Sequence, residues 1–405
     1  MTIPTGRSYL IYRRSRLGEA HLLVESQRLL GIPTWQDVSD LAPEPLEDEI
    51  RNVLAEEETA NAVVLLTPEV RDSAVIQRLE CPLAFARHER ADGFFIVFVL
   101  AGGLGYEEAN SLLRVRFGNQ DLDAWNIHHV RRDPLDQSAA LDIAHAVLRE
   151  RLKRIQKTSS PESPLRVSLY TRSKPPFGTD RALALDWSGF FDGRKAEPAT
   201  WTSRLLPALS RVSLRVRELT PGRNVEFDGL ASIPAVIALG REFSLPSGSR
   251  ACWLQNIPPI ATADRWGLHM GRSESNCIGV MTSGKVDAED IAVLVSVAQD
   301  VRPAFDATRE ALPRFRCLVE VSAAGLGTGP ITGGQAVDLA HVTINNIRLA
   351  RSQFRPSGRV HLFASVPLGL AFMLGQLLNA VGPVQTYEYH PCGLVGRYEP
   401  SAALG

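Results

Sequence analysis

At 405 residues the chain exceeds what one hydrophobic core usually serves, so two or three domains are expected. Its composition, 44% apolar and 22% charged, is that of a soluble globular protein, and no apolar run is long enough to cross a bilayer. A net charge of −1 withholds the electrostatic term on which binding to a long nucleic acid depends, which leaves a small phosphorylated ligand open.

In chain order, SYLIY (Ser8 to Tyr12) reads as a strand, HLLVESQRLL as a helix closed by Gly31, and IPTWQ as a second short strand. LEDEIRNVLAEEETA is an amphipathic helix, AVVLLT (Ala62 to Thr67) a fully buried strand, and GFFIVFVL (Gly93 to Leu100) another. YEEANSLLRVRF and LDQSAALDIAHAVLRERLKRIQK supply further helices. Strands alternating with helices predict an α/β, flavodoxin-like, doubly wound parallel sheet.

Between the two buried strands lies RDSAVIQRLECPLAF, residues 71 to 85. On a helical wheel Val75, Ile76, Leu79 and Leu83 form one stripe and Glu80 falls at its border, about 40° from Ile76. Pro82 withdraws a backbone donor just beyond, so the Glu80 turn is expected to be irregular. A carboxylate on a half-apolar turn either leans out to solvent or faces a cleft, and the stripe alone does not choose between the two.

KTSSPESP, Lys157 to Pro164, is polar and rich in serine and proline, which marks a domain boundary. Beyond it, NVEFDGLASIPAVIALGREF (Asn224 to Phe243) and RVHLFASVPLGLAFMLGQLL (Arg359 to Leu378) look like two copies of one unit: a strand, Ala-Ser-x-Pro, and an apolar helix carrying Leu-Gly. The Leu-Gly pair comes six residues after the proline in the first copy and eight in the second. Each copy has an upstream strand ending in small or polar residues, RALALDWSGFFDGR and FRCLVEVSAAGLGTGP. Because ligands bind outside the carboxyl ends of strands in open α/β sheets, two such halves would make one composite pocket.

Candidate ligand residues follow from that placement. Pro234 and Pro367 suit the first helical turn, and Ser232 and Ser365 before them can either present hydroxyl and N–H groups to a phosphate or serve as ordinary helix caps. Gly325, Gly327 and Thr328 lie in SAAGLGTGPITGG, a glycine-rich stretch that permits close backbone approach but lacks the Gly-Lys-Ser/Thr ending of a nucleotide-triphosphate loop. Trp187, Phe190, Tyr387 and Tyr389 can stack on bases or fill the core, and Ser188 adjoins the first of them. In the N-terminal part, strand ends gather Tyr12 and Arg13, Trp35 and Asp37, and Glu80; a carboxylate in a partly apolar cleft can bond ribose hydroxyls and steady an oxocarbenium-like transition state.

Five scattered cysteines without a C-x-x-C pair argue against disulfides and zinc, and adjacent His128 and His129 point to different faces, so no metal is expected. The start MTIPTGRSYLIYRRSR has no charged-then-apolar leader, which makes cytoplasm the expected compartment.

SYLIYRR, GIPTWQD one helix later, the buried AVVLLT strand and the Glu80 helix together resemble a TIR domain of the bacterial NAD-consuming kind, over about residues 5 to 155. The resemblance implies that Glu80 is the catalytic glutamate. It also implies that Tyr12, Arg13, Trp35, Asp37 and Ser73 serve NAD, with VSDLAPEPLEDEI as the mobile BB loop. In this chain Pro43, Glu44 and Pro45 stand where that loop usually has a glycine, and Gln77, Arg78 and Leu79 where a Trp-Cys pair often precedes the glutamate. ALDWSGFFDGR, FDGLASIPAVIALGREF and the ending from VHLFASVPLGLAFMLGQLL to RYEPSAALG resemble a SAVED domain, two fused CARF-like Rossmann units that sense cyclic oligonucleotides.

The organisation expected is therefore 1–157 TIR, 158–164 linker and 165–405 SAVED, with halves of about 165–310 and 311–405. A chain of this kind resembles a TIR-SAVED effector of anti-phage signalling (CBASS). That implies an NAD+ glycohydrolase with NAD+ as substrate rather than cofactor, a cyclic trinucleotide as activator bound through the candidate ligand residues above, and head-to-tail self-association into oligomers or filaments. A non-enzymatic TIR scaffold that assembles on ligand, and more remotely a ring nuclease, are the alternatives.

Overall fold

Strand and helix spacing in the first 160 residues produce one parallel sheet. The computed structural model describes residues 1–35, 46–116, 122–130, 133–193, 195–244, 250–256, 263–273, 277–323 and 330–405. By contact the chain divides into two compact units, one formed by Met1–Pro161, Pro176–Asp186 and Leu214–Thr220, the other by Glu162–Pro175, Trp187–Ser213 and Pro221–Gly405.

The first unit holds β1 (Arg7–Ile11), α1 (Leu17–Leu29), β2 (Thr34–Trp35), α2 (Leu46–Ala55), β3 (Thr59–Leu66), α3 (Cys81–Glu89), β4 (Phe95–Leu100), α4 (Tyr106–Arg116), β5 (Asn126–His129) and α5 (Gln137–Thr158). The strands run in the order β2-β1-β3-β4-β5, all parallel, which is the flavodoxin-like order. β3 and β4 are buried along their whole length, as unbroken apolar strands covered on both faces must be. β5, with the sequence NIHH and no fully buried residue, is the strand that the apolar pattern did not announce. Arg87 on α3 ties the covering helices down: its guanidinium donates to the carbonyls of Leu54, Ala55 and Glu56 at the end of α2, and to Asp92 at 2.8 Å.

The second unit contains parts of two sheets. In the first, β6 (Leu165–Tyr170), β8 (Val225–Leu230), β9 (Ala251–Gln255) and β10 (Asp264–Trp266) lie in the order β10-β9-β8-β6. The intervening β7 (Leu183–Asp186) falls among the residues of the first unit. In the second sheet, β11 (Cys277–Ser283), β12 (Asp290–Ser296), β13 (Phe315–Ala323), β14 (Val360–Ser365), β15 (Val384–His390) and β16 (Arg397–Leu404) take the order β11-β13-β12-β14-β15-β16. Its centre, β13-β12-β14-β15, is parallel, and antiparallel β11 and β16 close the edges.

The second half therefore begins at β11, not near residue 311. DIAVLVS (β12) is the central strand of the sheet that the Phe315 strand joins, and its continuous apolar run carries no alternation to mark which half owns it.

The internal repeat has a packing cause. Helix α6 (Leu206–Leu219) precedes β8; β8 leads into α7 (Ile233–Glu242), a short α8 (Arg302–Thr308) follows β12, α9 (Gly333–Phe354) follows β13, and β14 leads into α10 (Leu368–Leu377). Counted from the first helical residue, Ile233 or Leu368, the repeated glycine falls at the same place: Gly240 and Gly375 are each seven residues on. The prolines made the copies look offset, since Pro234 lies inside the first turn of α7 while Pro367 is the N-cap of α10, one place earlier than expected. A Cβ on Gly240 would collide with the Phe372 carbonyl oxygen, and one on Gly375 with the Ile237 carbonyl oxygen. α7 and α10 thus cross backbone to backbone, each lending the other its glycine.

Candidate functional site

In the first unit the order of strands reverses between β1 and β3, and in sheets of this kind ligands bind at the carboxyl edge there. Arg16, after β1, is paired with Glu69, after β3, at 2.8 Å and with Asp133, after β5, at 2.9 Å, which ties three of the loops on that rim together. Glu80 closes a π-helical turn, Ile76–Glu80, in which the Cys81 N–H reaches back five residues to the Ile76 carbonyl. Proline explains the turn, because Pro82 has no N–H for the regular ladder. The same arrangement recurs at Trp201–Leu205, where the Leu206 N–H reaches Trp201 just before Pro207.

The turn carries Glu80 inward. Its side chain is 8% exposed, and the Tyr9 hydroxyl donates to Oε1 at 2.9 Å. Tyr9 in turn stacks on Trp35, centroids 4.8 Å apart at 14°. Burial pushes the neighbouring Cys81 thiol up, and the Glu80 carboxylate adds to the shift, so Cys81 stays protonated. Ser73 anchors the other end of the turn, its hydroxyl accepting from the Ile76 N–H at 3.4 Å. The structure thus brings Trp35 and Glu80 together through Tyr9, which sequence reasoning missed; a tyrosine inside a buried strand needs a partner for its hydroxyl, and that need was the available signal. Tyr12 is itself buried and Arg13 flanks the short turn after β1. Asp37 lies outside the described residues, with the rest of 36–45.

In the second unit a cleft of about 410 Å³ opens where strand ends of both sheets meet, within the usual size of a small-ligand site. Arg172, two residues past β6, and Ile233, opening α7, come from the first half. Ala364 and Ser365 at the end of β14, Tyr387, Glu388 and Tyr389 on β15, and Tyr398 on β16 come from the second, with Asp300 just before α8 and Ala304 in its first turn. Among the described lining residues Arg172 is the cation, and Asp300 and Glu388 are the carboxylates. Arg172 donates to Glu388 Oε1 at 3.3 Å, across the halves. Tyr387 is fixed from below: its ring stacks on Phe363 at 4.2 Å, and its hydroxyl and His361 Nδ1 are hydrogen-bonded at 2.7 Å. Burial raises the Tyr387 phenol and lowers His361, so both are neutral there.

Of the expected ligand residues, Ser365, Tyr387 and Tyr389 line this cleft. Trp187 does not: it is wholly buried, edge-on to Trp201 at 6.1 Å, and a ring with no exposed face cannot stack on a base. Ser232 is also buried, its N–H donated to Thr171 Oγ1 at 2.8 Å and its hydroxyl capping α7 at the Ala235 N–H, so it is the ordinary helix cap and holds nothing out to a phosphate. Ser188 opens a one-turn helix and Pro367 caps α10; neither is among the lining residues. Gly325, Gly327 and Thr328 fall outside the described residues. Arg172 and Glu388 were missed; a glutamate flanked by two tyrosines in VQTYEYH was the signal available for the second.

Fold and cleft define a two-halved α/β ligand-binding domain. Residues 209–404 match the family profile SAVED, "SMODS-associated and fused to various effectors sensor domain", and this stretch is a SAVED sensor domain. Among solved structures the chain resembles the Acinetobacter baumannii Cap4 SAVED/CARF-domain containing receptor with the cyclic trinucleotide 3'3'3'-cAAA, at 13% identity and a TM-score of 0.50, over 97% of this chain and 99% of that one. The same receptor with 2'3'3'-cAAA aligns at 15% identity and 0.49, over 90% and 86%. The Moraxella osloensis Cap4 receptor aligns at 13% and 0.44, over 97% and 100%. At such identities the first of these shows a shared fold. No curated protein matches the chain. Among the described residues no helix is long and apolar enough to cross a membrane, and no group of three or more His, Cys, Asp or Glu could hold a metal ion.

Proposed function

We propose that the protein is an NAD+ glycohydrolase switched on by a cyclic oligonucleotide, a cyclic trinucleotide first of all. The enzymatic half is carried by one observation, the buried Glu80 carboxylate held by Tyr9 beyond the carboxyl end of β3. In an apolar surround a carboxylate is a strong partner for developing positive charge. As the glycosidic C–N bond breaks, nicotinamide leaves with the bonding pair and Glu80 steadies the ribosyl cation; water adds at C1′ and gives up a proton, leaving ADP-ribose. Trp35, stacked behind Tyr9, keeps that hydroxyl on the carboxylate.

The sensing half is supported by the SAVED domain and by a cleft with walls from both halves. Ligand that bridges them favours one arrangement of the domain, and a head-to-tail contact between copies then extends into an open assembly in which TIR domains meet and complete the NAD site. The test is nicotinamide release from NAD+ with 3'3'3'-cAAA present and absent, beside a sizing column under the same conditions. Ligand-dependent release with earlier elution is expected. Assembly without release from the wild type would favour the scaffold instead, and linear fragments of the ligand a nuclease.

A further inference from the structure

The charges of the cleft restrict what can enter it. Glu388 is almost fully buried at 5% side-chain exposure, while its partner Arg172 is 36% exposed and can be reached from solvent. A carboxylate only accepts hydrogen bonds, so no phosphate can settle against Glu388, and Asp300 adds a second negative group to the same lining. Whatever binds must present its phosphate to Arg172 and an N–H or O–H donor to Glu388. The surroundings favour a flat base as that donor: Tyr389 lines the cleft beside Glu388, edge-on to Tyr398 at 5.7 Å, and Leu394 and Val395 add exposed apolar surface.

We propose that Glu388 selects the base of the bound nucleotide, taking one with an exocyclic amine, and that Arg172 holds a phosphate irrespective of base. This rests on the cyclic-oligonucleotide reading above. Adenine offers its amine to the carboxylate. Uracil turns a carbonyl oxygen toward it at the corresponding position, leaving two acceptors facing each other with no proton between them, the kind of mismatch by which polar sites discriminate most strongly. The Arg172–Glu388 pair also spans the two halves, so a phosphate that draws Arg172 to itself competes with a contact between them.

The experiment is calorimetric titration of the full chain with 3'3'3'-cyclic tri-AMP and 3'3'3'-cyclic tri-UMP at two salt concentrations. Wild type should prefer tri-AMP by about tenfold or more. Glu388→Gln, whose amide can donate to a carbonyl, should shrink that preference about tenfold; Glu388→Asp, which keeps the charge but withdraws the acceptor, should shrink it too and serves if the glutamine variant does not fold. Arg172→Gln should weaken both ligands by the same factor and flatten the salt dependence. If the Glu388 variants weaken both rings equally, the carboxylate meets a ribose hydroxyl or only supports the fold, and base selection is overturned. If wild type binds neither ring, the ligand reading beneath the proposal fails instead.

Discussion

Glu80 illustrates how a residue's neighbours decide its role. The helical stripe put it on a border, and the irregular turn caused by Pro82 sends it inward to Tyr9 rather than outward to water. Glu80→Gln keeps the volume and removes the charge, so nicotinamide release should fall to background while tri-AMP binding is unchanged. Tyr9→Phe withdraws one donor from a buried carboxylate and should cost about 1–3 kcal/mol of stability, read by chemical denaturation. Asp92 gives a pH test. Burial alone would raise its carboxyl, but hydrogen bonds from the Thr2 hydroxyl, the Phe94 N–H and the Arg87 guanidinium hold it below its ordinary value. A carboxyl depressed in the folded state contributes stability above its unfolded pKa, near 4, and loses it as pH falls through the folded value. Asp92→Asn should therefore be less stable than wild type at pH 7, by about 1–3 kcal/mol, and the gap should close below about pH 4. At this scale the stripe placed Glu80 on a border but gave no sign that Tyr9 is its partner, because alternation along a strand buried on both faces does not say which tyrosine turns toward which helix.

Elements carry the next level of explanation. Parallel strands covered on both faces were legible as unbroken apolar runs, and β3 and β4 appear where those runs are. β5 escaped because its side chains are half-exposed and polar, and the start of the second half escaped because β12 has no periodicity to assign it. The repeat was visible as Ala-Ser-x-Pro and Leu-Gly, but its meaning lies in the α7–α10 crossing, where two glycines let backbones touch. Gly240→Ala and Gly375→Ala should each cost about 1–3 kcal/mol, since a methyl there meets a carbonyl oxygen rather than a yielding side chain. The double variant should cost less than their sum, because once the helices have moved apart for one methyl the second meets less resistance. Urea denaturation of the three variants measures both effects, and tri-AMP affinity should fall with them, as Ile233 at the head of α7 lines the cleft.

For the whole molecule, the composite pocket expected from two repeated halves corresponds to a cleft with Arg172 and Ile233 on one side and Ser365, Tyr387 and Glu388 on the other. Tyr387 and Tyr389 were legible as part of it, but Trp187 was misplaced. A tryptophan and a tyrosine at strand ends look alike in sequence, yet packing against Trp201 removes Trp187 from the surface while Tyr389 remains in the wall. Under the proposed function, ligand in that cleft turns on glycosidic cleavage at Glu80. The most direct measurement is free nicotinamide from NAD+ incubated with wild type, Glu80→Gln and Arg172→Gln across a titration of cyclic tri-AMP. Release from wild type should rise with ligand, Glu80→Gln should release none at any concentration, and the Arg172→Gln curve should be displaced to higher ligand with the same plateau. Release that ignores the ligand, or that persists in Glu80→Gln, would contradict the proposed function.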